Sequence, residues 1–161
     1  MRRILLRGAR GSVLLELVLL AAFVLTAGSF LFAQGTQVTR DYYKIQLRVI
    51  AKLLSGDLRE LQGRALFPGD SVTRSLKTNY PTNTKSYGFY ESTKLSKQLR
   101  FRDYNCADVY FDEAMASVSF SNIGAPSASG WYRLRHNGVD GFSYRVQVEP
   151  VSGRVTLNEE K

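Results

Sequence analysis

Apolar side chains run almost without interruption through residues 12–34 (SVLLELVLLAAFVLTAGSFLFAQ), where Glu16 is the single charged group. Over residues 35–67 they thin to a helical period. Tyr43, Leu47, Ile50, Leu54, Leu58, Leu61 and Ala65 recur at intervals of three or four, one face of an amphipathic helix. Arg40, Lys44, Arg48, Lys52 and Arg59 fall largely on the other side. Gly28 and Gly35 are points where such a helix could bend, and Pro68-Gly69-Asp70 predicts its end. Unbroken from Ser12 to Ala65, it would be about 80 Å long. Beyond Ser71 the pattern becomes one of short strands at residues 87–90, 108–111, 116–120, 131–134, 142–148 and 155–157, punctuated by glycines. The expectation is an α+β fold: a long N-terminal helix packed on an antiparallel β-sheet head over residues 68–161.

Charge changes this picture chiefly at the start. The 161 residues carry 22 Lys and Arg against 14 Asp and Glu, a net charge of +8. Arg2, Arg3, Arg7 and Arg10 account for four of those cations, leaving 18 basic against 14 acidic residues in the remainder. A global argument from basicity to nucleic acid is weakened accordingly. With one cysteine, Cys106, there is no intramolecular disulfide, and with one histidine, His136, no histidine-rich metal site. No cofactor is expected, and no constellation of residues supports an enzyme.

A bilayer core of about 30 Å needs roughly 20 apolar residues in a helix, which residues 12–34 supply. The arginines before them, with no basic cluster just after, place the N-terminus in the cytoplasm and the rest across the membrane. A secretory signal peptide and a plain anchor share these features. Neither explains Glu16, because a carboxylate costs up to roughly 3 kcal/mol at the bilayer centre and persists where it has a partner.

The run Gly11-Ser12-Val13-Leu14-Leu15-Glu16-Leu17, behind a short basic leader, resembles the type IV prepilin signature. The resemblance implies a leader at residues 1–11, cleavage by a prepilin peptidase between Gly11 and Ser12, and N-methylation of Ser12. It also implies a register role for Glu16 in assembly with other pilin or pseudopilin subunits. A serine stands where the family usually has phenylalanine or methionine. Residues 54–65, and 118–155 with their Pro150-Val151-Ser152-Gly153-Arg154 turn, resemble H-type pseudopilins of type II secretion and FimT-like minor pilins. The implied architecture is pilin-like: residues 12–34 as transmembrane or filament-core helix, residues 35–67 as its amphipathic half, and a β-rich head. The implied protein is a minor type IV pilin or pseudopilin held in the inner membrane, head outside, until it enters an envelope filament.

Residues 74–102 hold Arg74, Lys77, Lys85, Lys94, Lys97, Arg100 and Arg102 against the single acid Glu91, interleaved with Tyr80, Tyr87, Phe89, Tyr90 and Phe101. Cations neutralise phosphates and rings stack on bases, so this segment is a candidate DNA contact of the kind a competence-type minor pilin would use. Contact with an acidic partner pilin, or a plain solvated loop, fits the same residues. From outside the family, an uncleaved anchored binding protein remains an alternative. Asp112 and Glu113 read as a solvated pair in a turn after a strand, and Asp103, Asp108, Asp112 and Glu113 lack the spacing of a calcium loop. His136 reads as a surface residue beside an Asn137-Gly138 turn, Cys106 as a small buried hydrophobe and Trp131 as core.

Overall fold

The computed structural model describes residues 5–67 and 72–160, and the chain divides into two units, residues 1–40 and 41–161. A single helix, α1 (Leu5–Leu66, 62 residues), passes through both, and its helical assignment continues through Gly28 and Gly35. The helix ends at Leu66, two residues before the predicted breaker; Pro68, Gly69 and Asp70 lie outside the described residues. In the first unit the large apolar side chains of α1 from Leu15 to Phe32 all face outward, Phe23 at 72% exposure and Phe32 at 76%.

The second unit is the antiparallel β head expected, built as two four-stranded sheets. Strands β1 (Arg74–Asn79), β2 (Asn83–Glu91), β3 (Lys94–Arg100) and β5 (Ser117–Ser119) form one antiparallel sheet in the order β3-β2-β1-β5. Strands β4 (Val109–Glu113), β6 (Gly130–His136), β7 (Val139–Val148) and β8 (Val155–Glu160) form the other in the order β4-β6-β7-β8. A short 3-10 turn, Phe101–Tyr104, leads from the first sheet toward the second. The sequence pattern misses β1 and β3 because both are polar and poor in β-branched residues. In β3, an edge strand, Leu99 alone is buried.

One core joins everything in this unit. Leu47, Ile50, Ala51, Leu54, Leu58 and Leu61 of α1 are buried to 3% exposure or less, spaced as the amphipathic period requires. They share a continuous cluster with Leu76, Tyr87 and Leu99 of the first sheet and Phe111, Leu134, Val146 and Val148 of the second. Aromatic edges link the sheets: Phe101 lies 6.2 Å from Tyr87 and 5.2 Å from Phe111, and Phe111 packs 5.9 Å from Tyr132.

Polar side chains then fix α1 at three levels. Gln46 bonds the backbone carbonyl of Asn105 and the ring of His136. Asp57 accepts the Tyr87 hydroxyl at 2.6 Å. Arg59 donates to the Val155 carbonyl, and Gln62 to the carbonyls of Gly124 and Ser152. The last clamp needs glycine at 153: its φ is +65°, and a Cβ there would lie 2.3 Å from the Gly124 oxygen.

This packing separates two faces of one helix quantitatively. Leu54→Ala, at a fully buried position, should cost about 2–5 kcal/mol, whereas Val49→Ala on the exposed side should cost about 0.5 kcal/mol or less. Denaturant unfolding of the full chain in detergent, followed by fluorescence of the single tryptophan, measures both.

Candidate functional site

The residues singled out by the sequence fall into two places. Gly11 and Ser12 lie within α1, and their side chains are outside the described residues. Glu16 is described and exposed. The nearest cations along the chain are Arg10 and Arg40, and no ion pair to Glu16 is present among the described residues. Other polar groups nearby are satisfied within the helix. The Thr26 hydroxyl donates to the backbone at Ala22 and Phe23, and Ser29 donates to the Leu25 carbonyl at 2.7 Å. By length and composition α1 can cross a bilayer. Glu16 is therefore the charged group in an apolar surface, available to a counter-ion from outside the segment.

The basic segment does not form one surface. It is three strands and a turn, and strand alternation divides its cations. Arg74 Nε lies 3.4 Å from Glu91 Oε1, at the margin of a pocket between α1 and β2 that also holds Asp57, Glu60, Arg64 and Lys97. Asp57 is pushed above the usual carboxylate range by burial, against the pull of the Tyr87 hydrogen bond and of Lys97. Lys77 stretches over the Tyr90 ring, 4.7 Å from its centroid. Lys94 stands opposite Glu91 in the β2–β3 register. Lys85, Arg100 and Arg102 line a common groove with Asn83, Ser86, Gln98 and Ala107. The interleaved rings are also dispersed. Tyr87 and Phe101 are core, Phe89 packs on the core, and the Tyr80 hydroxyl donates to the Asp112 carbonyl at 2.7 Å.

Three readings of the second sheet need correction. Asp112 and Glu113 are not a solvated turn. They end β4, where a register irregularity between Phe111 and Glu113 lets consecutive acids address the same neighbouring strand. Asp112 pairs with Arg135 at 3.2 Å, and Glu113 with Arg133 at 2.9 Å. Glu113 also accepts the Trp131 indole N–H at 2.5 Å. That bond, with Arg133 beside it, holds the Glu113 carboxyl below the usual range. Trp131 is not core: Tyr132, Leu134 and His136 take the inward positions of β6, which leaves Trp131 45% exposed beneath Arg145. Among the described residues no group of three or more His, Cys, Asp or Glu could hold a metal.

The third correction is His136, which is buried at 4% exposure. Its Nδ1 accepts the Gly138 backbone N–H at 2.9 Å, so Nε2 carries the proton and donates to Gln46 Oε1 at 3.0 Å. The Tyr43 ring stacks on the imidazole at 4.4 Å, and lies so close to the Asn137-Gly138 turn that a Cβ at 138 would come within 2.6 Å of it. No sequence signal connects residues 43, 46 and 136; the contact exists only once α1 lies against the β6–β7 turn. Cys106 is buried as expected, its Sγ directed at the carbonyls of Tyr104 and Gln46, and burial pushes its thiol up.

No protein-family model matches this sequence, and no curated protein does. Among solved structures, the fold is similar to the type IV minor pilin FimU of Pseudomonas aeruginosa in its crystal form. The likeness has a TM-score of 0.54 at 18% identity, and covers 71% of this chain and 90% of that one. The long N-terminal helix packed on antiparallel sheets is thus the fold of that pilin.

The His136 arrangement gives a pH dependence of definite sign. Burial lowers its pKa in the fold and Asp108 opposes the shift only partly, so the fold favours neutral imidazole. The resulting stabilisation is complete above the ordinary value of about 6.5 and is lost as pH falls from there toward the depressed folded value. Denaturation midpoints should decline between about pH 7 and 5, and His136→Gln should flatten that decline.

Proposed function

We propose that this chain is a minor type IV pilin, stored in the inner membrane as a prepilin and then built into an envelope filament with other pilin subunits. The observation that carries this reading is the lone Glu16 on the outward-facing apolar part of the same helix whose later turns form the core of a pilin-fold head. Eleven large apolar side chains between Leu15 and Phe32 are more than half exposed. At about 1.5–3 kcal/mol each, leaving them in water would cost of the order of 20 kcal/mol, far more than the few kcal/mol of burying one carboxylate. The segment therefore takes an apolar environment and carries Glu16 into it.

The prepilin route supplies that carboxylate with a partner. Cleavage between Gly11 and Ser12 by a prepilin peptidase would create a new ammonium on Ser12, modified by a single methyl group. In a filament, the ammonium of one subunit would pair with Glu16 of its neighbour, and an ion pair in a medium of low dielectric fixes axial register as well as charge. Gly11 offers the peptidase an unhindered backbone on the leader side of the cut. The leader's four arginines would hold the N-terminus on the cytoplasmic side, with the head exported. The fold likeness to a type IV minor pilin supports the pilin reading.

Intact mass and N-terminal sequencing of the protein recovered from its own membranes test this reading. The expected terminus is Ser12, one methyl group heavier than the bare residue, and Gly11→Phe should retain the leader. A terminus beyond Ala27 would mean an ordinary signal peptide, and an intact Met1 or Arg2 a simple anchor; either contradicts the proposal.

A further inference from the structure

The groove lined by Lys85, Arg100 and Arg102 differs from two other charged places on the head. The ionic ladder of the second sheet is internally matched: Arg133 reaches Glu113 and Glu160, Arg145 reaches Glu160, and Arg135 reaches Asp112. The pocket beside Asp57 holds three acids among its lining residues, Asp57, Glu60 and Glu91. The groove has a volume of about 460 Å³ and three cations in its wall, and no carboxylate among its lining residues.

The cations are presented, not tucked away. Lys85 Nζ donates to the Ala107 carbonyl at 2.7 Å, which holds the ammonium at the wall with two further donors in hand. Arg102 is 66% exposed and touches Asp103 only at 3.9 Å. Arg100 makes one long contact, 3.4 Å, to Gln98. Two guanidinium forks and an ammonium in one groove match carboxylates, which take bidentate hydrogen bonds from arginine. The groove adjoins β3, an edge strand whose outer side has no strand partner among the described residues, so an extended segment can lie alongside it. Unpaired bases would need stacking platforms, but the rings interleaved with these cations are engaged elsewhere: Tyr87 and Phe101 in the core, Phe89 against it, Tyr80 on the Asp112 carbonyl and Tyr90 under Lys77.

We propose that the groove of Lys85, Arg100 and Arg102, beside the β3 edge, receives an extended acidic segment of a neighbouring filament subunit and so selects that neighbour. This rests on the filament reading above and assigns partner choice to three of the seven cations in residues 74–102. Of the other four, Arg74 pairs with Glu91, Lys77 covers the Tyr90 ring, Lys94 stands opposite Glu91 and Lys97 lines the pocket beside Asp57.

The test uses the full chain in detergent micelles and two labelled probes, a hexaglutamate peptide and a hexathymidylate oligonucleotide, read by fluorescence anisotropy. Hexaglutamate should bind saturably, and the triple variant Lys85→Gln/Arg100→Gln/Arg102→Gln should weaken it at least tenfold. Arg48→Gln/Lys52→Gln/Arg154→Gln removes the same charge from exposed positions outside β3 and the groove, and should change it less than twofold. Circular dichroism checks that both variants are folded. Equal losses in the two variants, or no hexaglutamate binding, overturn the proposal. Tighter hexathymidylate binding with the same dependence on the groove residues overturns it in favour of nucleic acid. A wild-type chain that is cut after Gly11 and enters filaments yet ignores hexaglutamate sinks the groove alone. A chain never cut sinks the filament reading, whatever the peptide does.

Discussion

Everything in this chain follows from one helix having to satisfy two environments. From Leu47 to Leu61 its apolar face is covered by two sheets, while from Leu15 to Phe32 nothing in the described structure covers it. The hydrophobic effect does not permit the second arrangement in water, so the first unit is incomplete without lipid or other helices. Glu16 makes the requirement specific. Any apolar medium would accept the leucines, but only one that also brings a cation accepts the carboxylate at low cost. An anchored precursor whose cut end becomes the neighbour's counter-ion meets both demands.

The head solves a different problem: it must hold the later turns of α1 firmly. Firmness comes from the aromatic link across the two sheets and from hydrogen bonds at Gln46, Asp57, Arg59 and Gln62, spread along the buried stretch of the helix. Almost every charge on the second sheet is matched across strands, which makes that face self-sufficient. Lys85, Arg100 and Arg102 gather where β2, β3 and the loop after them meet.

How much of this was legible in the sequence depended on whether the signal was periodic. The buried face of α1 could be read residue by residue, because a period of 3.6 is set by helix geometry alone. The aromatic and β-branched strands β2, β4, β6 and β7 were legible for the same reason. β1 and β3 were not, since edge and polar strands take their conformation from neighbours and carry little alternation of their own. Long-range pairings were invisible in principle: nothing local tells Gln46 to meet His136, or puts Arg145 over Trp131 and exposes a residue whose type suggested core. The seven cations illustrate the limit from the other side. Their clustering along the chain was real, but alternation and turns divided it into separate places, and only coordinates could say which three remain together.

The role proposed for Glu16, setting register between subunits, can be tested in the filament itself. The direct measurement is the amount of this protein in filaments sheared from cells, compared with the amount in their membranes, for the native chain and for Glu16→Leu. The substitution removes a charge from an apolar helix, so membrane levels should hold or rise, while filament incorporation should fall at least about tenfold because the neighbour's ammonium is left unpaired. Undiminished incorporation of Glu16→Leu would contradict the account, and would mean that apolar packing alone positions the subunit.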